Sequence, residues 1–118
     1  MRISTTLWAL LAISAAPAFA DCTAPTDSVV IPKGAQATKE EMIAAQNAVK
    51  QLNQAVTAYA DCLKQEEDAK VAAGGDKVKL HNTYAKLNND EVARLQQVAA
   101  KFNDELHAYL AKNAAPAH

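Results

Sequence analysis

The sequence predicts an all-α fold: an antiparallel, coiled-coil-like helical hairpin with an extended N-terminal arm that folds back and is tied by one disulfide. Two runs of apolar residues at helical spacing, separated by Gly74-Gly75, predict the hairpin, and two cysteines predict the tie. The predicted ranges are a signal peptide at 1–20, the arm at 21–37, helix 1 at 38–73, a turn at 74–76, helix 2 at 77–113 and a flexible tail at 114–118.

The N-terminal segment has the organisation of a Sec-type signal peptide. A short positive region at residues 1–2 precedes a mainly apolar run at 3–16, and the triplet Ala-Phe-Ala at 18–20 supplies the small residues that flank a cleavage site. We expect cleavage after Ala20 and a periplasmic or secreted product with no membrane insertion. The competing interpretation is a retained anchor, since about 17 to 25 apolar residues span a bilayer. Pro17 and the cleavage triplet favour the signal peptide.

The charge of the chain is nearly balanced. It has 12 Lys and Arg against 13 Asp and Glu, and the loss of Arg2 with the signal peptide leaves the mature chain slightly more acidic. Since this composition predicts no strongly basic face, nucleic acid is not an expected partner. The abundance of Ala, Gln, Asn, Lys and Glu is typical of long helices.

Both cysteines remain after cleavage. An even count in an oxidising compartment predicts a disulfide between Cys22 and Cys62. Neither cysteine belongs to a C-x-x-C redox pair or to a zinc-ligand spacing. The disulfide is therefore predicted to be a structural staple worth about 3 to 4 kcal/mol. Apart from this disulfide pair we predict no site residues: none that is catalytic, cofactor-binding or metal-binding.

The arm gives way to a helix at Thr38. Pro, Gly, Thr and Asp in residues 21–37 exclude a helix there, and residues 29–31 form one apolar cluster. Thr38 and Glu41 then fit the S/T-x-x-E capping box that opens a helix.

Each helix carries an apolar seam. The helix 1 seam recurs at alternating steps of three and four residues, and the helix 2 seam has a period closer to eleven residues. Residues that face each other in an antiparallel hairpin should have numbers that add up to nearly the same value, and the two seams satisfy this rule. The helix 1 seam is Met42, Ala45, Val49, Leu52, Val56, Tyr59 and Leu63, expected to face Tyr109, Leu106, Phe102, Val98, Leu95, Glu91 or Val92, and Leu87 respectively.

Two alternatives to a monomeric hairpin remain open from the sequence. Asn88 and Glu91 mimic a second capping box, which would break helix 2 near Asp90 and give a three-helix bundle. Self-association into a four-helix bundle would also enlarge the core, because small chains bury a low fraction of their surface. The matched seams favour the unbroken hairpin.

The arm is long enough to place Cys22 at Cys62. Helix 1 covers about 36 Å between Thr38 and Cys62 at 1.5 Å per residue, and residues 22–37 span about 50 Å when extended. We therefore expect the arm to run antiparallel to helix 1 and to lay the apolar cluster at 29–31 against the hairpin.

The residue pattern does not predict an enzyme. Ser28 is the one serine left after cleavage and lies in the arm, far in sequence from any histidine. The carboxylates occur where a solvated helix face normally carries them. His81 and His107 lie near opposite ends of helix 2, and His118 lies in the tail.

Met42 and His107 fall at the same open end of the predicted hairpin. A Met and a His form an axial ligand pair of b-type haem, an arrangement found in exported four-helix cytochromes. The alternative interpretation makes Met42 the first core residue and His107 a half-exposed neighbour of Leu106. We favour this second interpretation and predict no cofactor, because two helices do not enclose a porphyrin.

Several short motifs follow Cys22: Pro32-x-Gly34, Ala37-Thr38, Met42, Ala44-Ala45-Gln46 and Tyr59-x-x-Cys62-Leu63. Together with the signal peptide they resemble a set of small exported proteins of proteobacteria. The resemblance covers roughly residues 22–63 and leaves out helix 2. It implies that the arm, the capping box and the cysteine pair form one unit, and it implies no activity.

Two classes of function follow from the sequence. The first is a non-enzymatic structural or interaction protein of the periplasm, such as a scaffold, an adaptor or a chaperone-like hairpin, which binds a protein partner or itself. Its expected mark is a contiguous exposed apolar strip. The second is a small-ligand, haem-binding or metal-binding helical bundle.

Overall fold

The computed structural model describes residues 21–114, so the predicted signal peptide and residues 115–118 of the predicted tail lie outside the described residues. The described part contains two helices, α1 (Lys39–Ala72) and α2 (Lys77–Asn113), and no strand. They pack as a hairpin, and the arm (residues 21–37) is tied to it by a disulfide. This confirms the predicted all-α fold. The three-helix alternative is wrong, because α2 continues without interruption through residues 88–90. Neither helix is long and apolar enough to cross a membrane.

The beginning of α1 is fixed by the capping box that the sequence predicts. The Thr38 hydroxyl accepts a hydrogen bond from the Glu41 amide at 3.2 Å, and the Glu41 carboxylate accepts one from the Thr38 amide at 2.8 Å. Two amide donors that the helix leaves unpaired are thereby satisfied. Thr38 is itself the non-helical cap, so α1 begins one residue after the predicted range of 38–73.

The turn between the helices depends on Gly74. Its φ of 94° lies in the left-handed region, where a side chain would be strained. The amides of Gly74 and Gly75 donate to the carbonyls of Val71 and Lys70, the hydrogen-bond pattern of a Schellman motif. Asp76 then caps α2 by accepting from the Lys79 amide at 3.0 Å. The chain therefore reverses within a few residues, which places the two seams side by side.

The apolar core of the hairpin includes two clusters, and Leu52 and Val56 are buried on α1 between them. The first lies towards the open end; its buried members are Ala37, Met42, Ala45 and Phe102, with Ile31, Val49, Leu106 and Tyr109 packed against them. The second lies nearer the turn and consists of Tyr59, Leu63 and Tyr84, with Cys22, Ala24 and Leu80 packed against them. Since both clusters include arm residues, the arm completes the core instead of merely covering it.

Leu87 is not the partner of Leu63 that the register predicted. Its side chain is 40% exposed, and Leu63 packs in a cluster with Tyr84. The neighbouring Asn88 is the more buried residue, and its Oδ1 atom is enclosed. With 3.6 residues per turn, positions 87 and 88 lie on either side of the line that faces α1. A seam read from apolar residues alone therefore selects the wrong position.

The apolar cluster in the arm packs only in part. Ile31 joins the first core cluster and Val29 is partly buried, but Val30 is 78% exposed. Successive side chains of an extended chain point to opposite sides, so Val30 must point away when its neighbours point inward. The prediction that all three lie against the hairpin is therefore wrong for Val30.

Candidate functional site

The predicted disulfide between Cys22 and Cys62 is confirmed. The two sulfur atoms are bonded, and the Cα atoms lie 5.8 Å apart. The bond fixes the first residues of the arm to α1 at a point nearer the turn than the open end. The arm therefore runs antiparallel to α1 and parallel to α2.

Glu66 makes a second attachment beside the disulfide. Its side chain is only 12% exposed, and it accepts the Cys22 amide at 3.4 Å and Lys70 Nζ at 2.7 Å. Hydrogen bonding by Lys70, and then by Tyr84, holds the pKa of the Glu66 carboxyl below its ordinary value, and Glu66 in turn raises the pKa of Lys70. A charged Glu66 is thus part of the arm attachment.

Arg94 attaches the middle of the arm to α2. Its Nη2 atom donates to the Pro25 carbonyl at 2.7 Å and its Nη1 atom to the Asp27 carbonyl at 3.4 Å. Its Nε atom donates to Glu91 at 3.1 Å, which orients the guanidinium. Burial raises the pKa of Tyr59, and the nearby Glu91 carboxylate raises it further.

The C-terminal part of the arm is attached by Glu105 and Lys112. The Glu105 carboxylate accepts the Gly34 amide at 2.7 Å and lies 3.6 Å from Lys33 Nζ. This amide, and then the Lys33 charge, holds the pKa of Glu105 below its ordinary value. Lys112 Nζ donates to the Ala37 carbonyl at 2.9 Å. Glu105 and Lys112 therefore bind the arm mainly through its backbone groups.

Two grooves lie along the border between the arm and α1. The groove nearer the turn has a volume of about 410 Å³, and the one nearer the open end about 430 Å³. Their α1 sides share one helical stripe that includes Ala44, Ala48, Ala55 and Ala58, because spacings of three, four and seven residues return to the same face. We call these two grooves together the arm channel.

A third groove lies on the opposite face of the hairpin, with no arm residue in its lining. It measures about 370 Å³ and is lined by residues of both helices near the turn, including His81 and Glu67. His81 Nδ1 and Glu67 Oε1 lie 3.1 Å apart and join α2 to α1. The enclosed Oδ1 of Asn88 has no hydrogen-bond partner within residues 21–114. Over the same residues, no three His, Cys, Asp or Glu side chains are grouped so that they could hold a metal ion.

Met42 and His107 have different environments. Met42 is buried in the first core cluster beside Phe102 and Leu106, whereas His107 is exposed. The structure therefore gives Met42 the role of a core residue. His81 is also exposed, and His118 lies outside the described residues.

The exposed large apolar side chains are dispersed within the described part of the chain. They lie on the arm, near both ends of the hairpin and in the first half of α2: Val30, Ile43, Val78, Leu87 and Leu110. Single exposed apolar residues are common on protein surfaces. The contiguous strip expected of an interaction protein does not appear among these residues, so the candidate surface is the arm and its channel.

Sequence reasoning identified the cysteines but not the polar residues that hold the arm. Arg94, Glu105 and Lys112 share one face of α2, because spacings of eleven and seven residues return to nearly the same direction. This spacing was the one sequence feature that could have indicated an arm-binding face. Without the position of the arm, the same spacing is typical of an ordinary solvated helix face.

Comparison of the chain with protein-family models, with curated proteins and with solved structures gives no match.

Proposed function

We propose that this chain is an exported, non-enzymatic protein of the periplasm that acts by interaction, as a scaffold or adaptor whose hairpin presents the arm to a partner protein. The observation that carries the proposal is that three partly buried charged side chains bind the arm. Glu66, Arg94 and Glu105 are all directed at the backbone of the arm. Charges removed from water are costly unless paired, so their placement indicates what the fold holds in position.

Export is supported by the N-terminal sequence together with the disulfide. The positive start, the apolar run and the small residues at 18–20 have the order of a cleavable signal peptide. Disulfides persist in oxidising compartments such as the periplasm. We infer cleavage after Ala20, which would begin the mature chain at Asp21, directly before the residue that the disulfide fixes.

Native mass spectrometry of the protein isolated from the periplasm tests this function. We expect a chain that begins at Asp21, has the mass deficit of one disulfide and is retained in a complex with a second protein. A matched variant, Cys22→Ser with Arg94→Gln, releases the N-terminal half of the arm and should lose the complex while keeping its helices by circular dichroism. A complex that survives in this variant, or a bound small molecule in place of a protein, would contradict the proposal.

A small-ligand protein is the second candidate. It is favoured by the groove near the turn, whose lining brings together His81, Glu67 and Asn88 from both helices. The exposed His81 ring and the Glu67 carboxylate offer a small polar ligand hydrogen-bonding groups in this groove. A small-molecule mass that is retained by the wild type and lost in Asn88→Leu would favour this candidate.

A further inference from the structure

We propose that the edge of the arm that borders α1 docks an extended segment of another polypeptide, one with small apolar side chains and at least one basic side chain. The segment would lie in the arm channel as a strand beside the arm. This inference rests on the proposed function, because it names the surface and the partner class of an interaction protein.

The backbone of the arm has two edges, and α2 engages one of them. In an extended chain the N–H and C=O groups of alternate residues point to the same edge. Arg94 binds the carbonyls of Pro25 and Asp27, which directs those residues towards α2. The even-numbered residues of 26–30 then direct their N–H and C=O groups to the edge that borders α1. Within residues 21–114, these groups have no protein hydrogen-bond partner.

An unpaired strand edge is a template for another strand. Extended peptides bind such edges through main-chain hydrogen bonds, and their alternate side chains fill adjacent pockets. Pro32 lacks an amide donor and limits the available edge to the residues before it. The exposed Val30 lies within that window and offers an apolar contact to a strand beside it.

The α1 side of the arm channel is lined mainly by small residues, which leave space beside the arm. Ala44 and Ala48 line the part beside Val30, and Ala55 and Ala58 line the part nearer the disulfide. A methyl side chain lets a neighbouring backbone approach the helix closely. Larger side chains at these positions would occupy the space into which a peptide must fit.

The edge is also held ready for binding. The arm is fixed at Cys22 by the disulfide, at Asp27 by Arg94 and at Gly34 by Glu105. Because the arm is already ordered, it loses little conformational entropy when a peptide binds. The entropy loss falls mainly on the incoming peptide.

The acidic lining of the arm channel favours a peptide that carries a basic side chain. Among the described residues that line the arm channel, the charged ones are the acidic Asp27 and Glu41. Glu41 also accepts the Thr38 amide, so Asp27 supplies the main attraction. The basic side chains of Arg94 and Lys33 are engaged by an arm carbonyl and by Glu105. A basic side chain on the incoming segment would therefore be attracted. A second copy of the arm is a poorer fit, because residues 21–32 contain two Asp and no Lys or Arg.

The inference is tested by titrating the disulfide-bonded protein with a short synthetic peptide of alternating Val and Ser that carries a Lys at each end. Fluorescence anisotropy measures affinity, and ¹H–¹⁵N spectra locate the contact. We expect the largest shifts at the amides of residues 26–30. A peptide with Glu in place of Lys should bind at least about tenfold more weakly, as should one with a methylated backbone.

Two alanines of α1 provide the matched variants. Ala48→Gln fills the arm channel and should weaken peptide binding about tenfold or more. Ala60→Gln makes the same change on the opposite face and should leave the affinity unchanged. Asp27→Asn should weaken the Lys peptide more than an uncharged one, since it removes the carboxylate and keeps the carbonyl that Arg94 binds.

Several outcomes would overturn the inference. These are no detectable binding, equal affinity for the Lys and Glu peptides, or shifts centred on the groove at His81. A dimer that dissociates on Ser28→Pro would show that a second copy occupies the edge. If the complex from the periplasm survives Ala48→Gln, this docking site is wrong while the proposed function stands.

Discussion

The amide of Gly34 lies against the last third of α2 and donates a 2.7 Å hydrogen bond to the Glu105 carboxylate. A Cβ atom added to Gly34 would overlap the backbone carbonyl of Glu105 and crowd the amide of Tyr109. A residue without a side chain is therefore required where the arm crosses α2. This crossing decides which side of the hairpin the arm covers.

We expect Gly34→Ala to detach this part of the arm. The overlap involves helix backbone, which cannot move aside, so the free energy of unfolding should fall by about 1–3 kcal/mol. Hydrogen exchange should show faster exchange at Gly34 while α1 and α2 remain protected. Gly74→Ala is the control: its cost comes from a positive φ alone, about 1–2 kcal/mol, and should leave exchange at Gly34 unchanged. Equal arm protection in both variants would contradict the close-approach argument.

Loss of the disulfide should destabilise the protein without removing its helices. Closing a loop with a sequence separation of 40 residues is worth about 4 kcal/mol in the chain-entropy treatment. Cys22→Ser should therefore lower the melting temperature, while circular dichroism at low temperature remains helical. Changing both cysteines should cost no more than changing one, because a single bond is lost in each case. An unchanged melt would rule out the structural role of the disulfide.

Glu105 makes the attachment of the arm dependent on pH. Since the Gly34 amide lowers its pKa, the carboxylate stabilises the folded state above the unfolded pKa of about 4.3, and this contribution is lost as pH falls through the lower folded value. Glu66 acts in the same direction, chiefly through Lys70. Wild-type stability should therefore fall between about pH 5 and pH 3, and Glu105→Gln should flatten part of that fall.

Chemical denaturation at several pH values measures this effect. The double variant Glu66→Gln, Glu105→Gln should show the shallowest pH dependence, because both lowered carboxyls are then absent. Parallel pH curves for the wild type and both variants would contradict the assigned pKa directions.

Two leucines test the packing of the seam. Leu52 is 1% exposed, so Leu52→Ala should cost about 2–5 kcal/mol through lost burial and a cavity. Leu87 is 40% exposed, and Leu87→Ala should cost less than about 1 kcal/mol. Urea unfolding monitored by circular dichroism compares the two. Similar losses would mean that Leu87 lies in the interface after all.

The sequence predicts the structural features that depend on neighbouring residues or on simple geometry. Thr38 and Glu41 form the expected capping box because both partners lie within one helical turn. Leu52 and Val56 are buried as their spacing predicts. Leu87 fails because a period of 3.6 residues cannot decide between adjacent positions without the facing helix.

Most of the contacts that attach the arm could not be predicted from the sequence. Its polar contacts join residues far apart in the chain: Arg94 to Pro25, Glu105 to Gly34 and Lys112 to Ala37. Each of these charged residues lies on a helix face where the local pattern is the same as that of a solvated surface. Their backbone partners are identified only when the position of the arm in the folded protein is known.

The sequence by itself therefore determined two helices, their turn and the covalent tie, since caps, glycines, periodicity and paired cysteines act locally or through a single bond. The tertiary structure decided which face of the hairpin the arm covers, which of its side chains point outward and which backbone edge stays free. These depend on the close approach of Gly34 to α2 and on charges distant in sequence, so they arise only when the helices and the arm pack together.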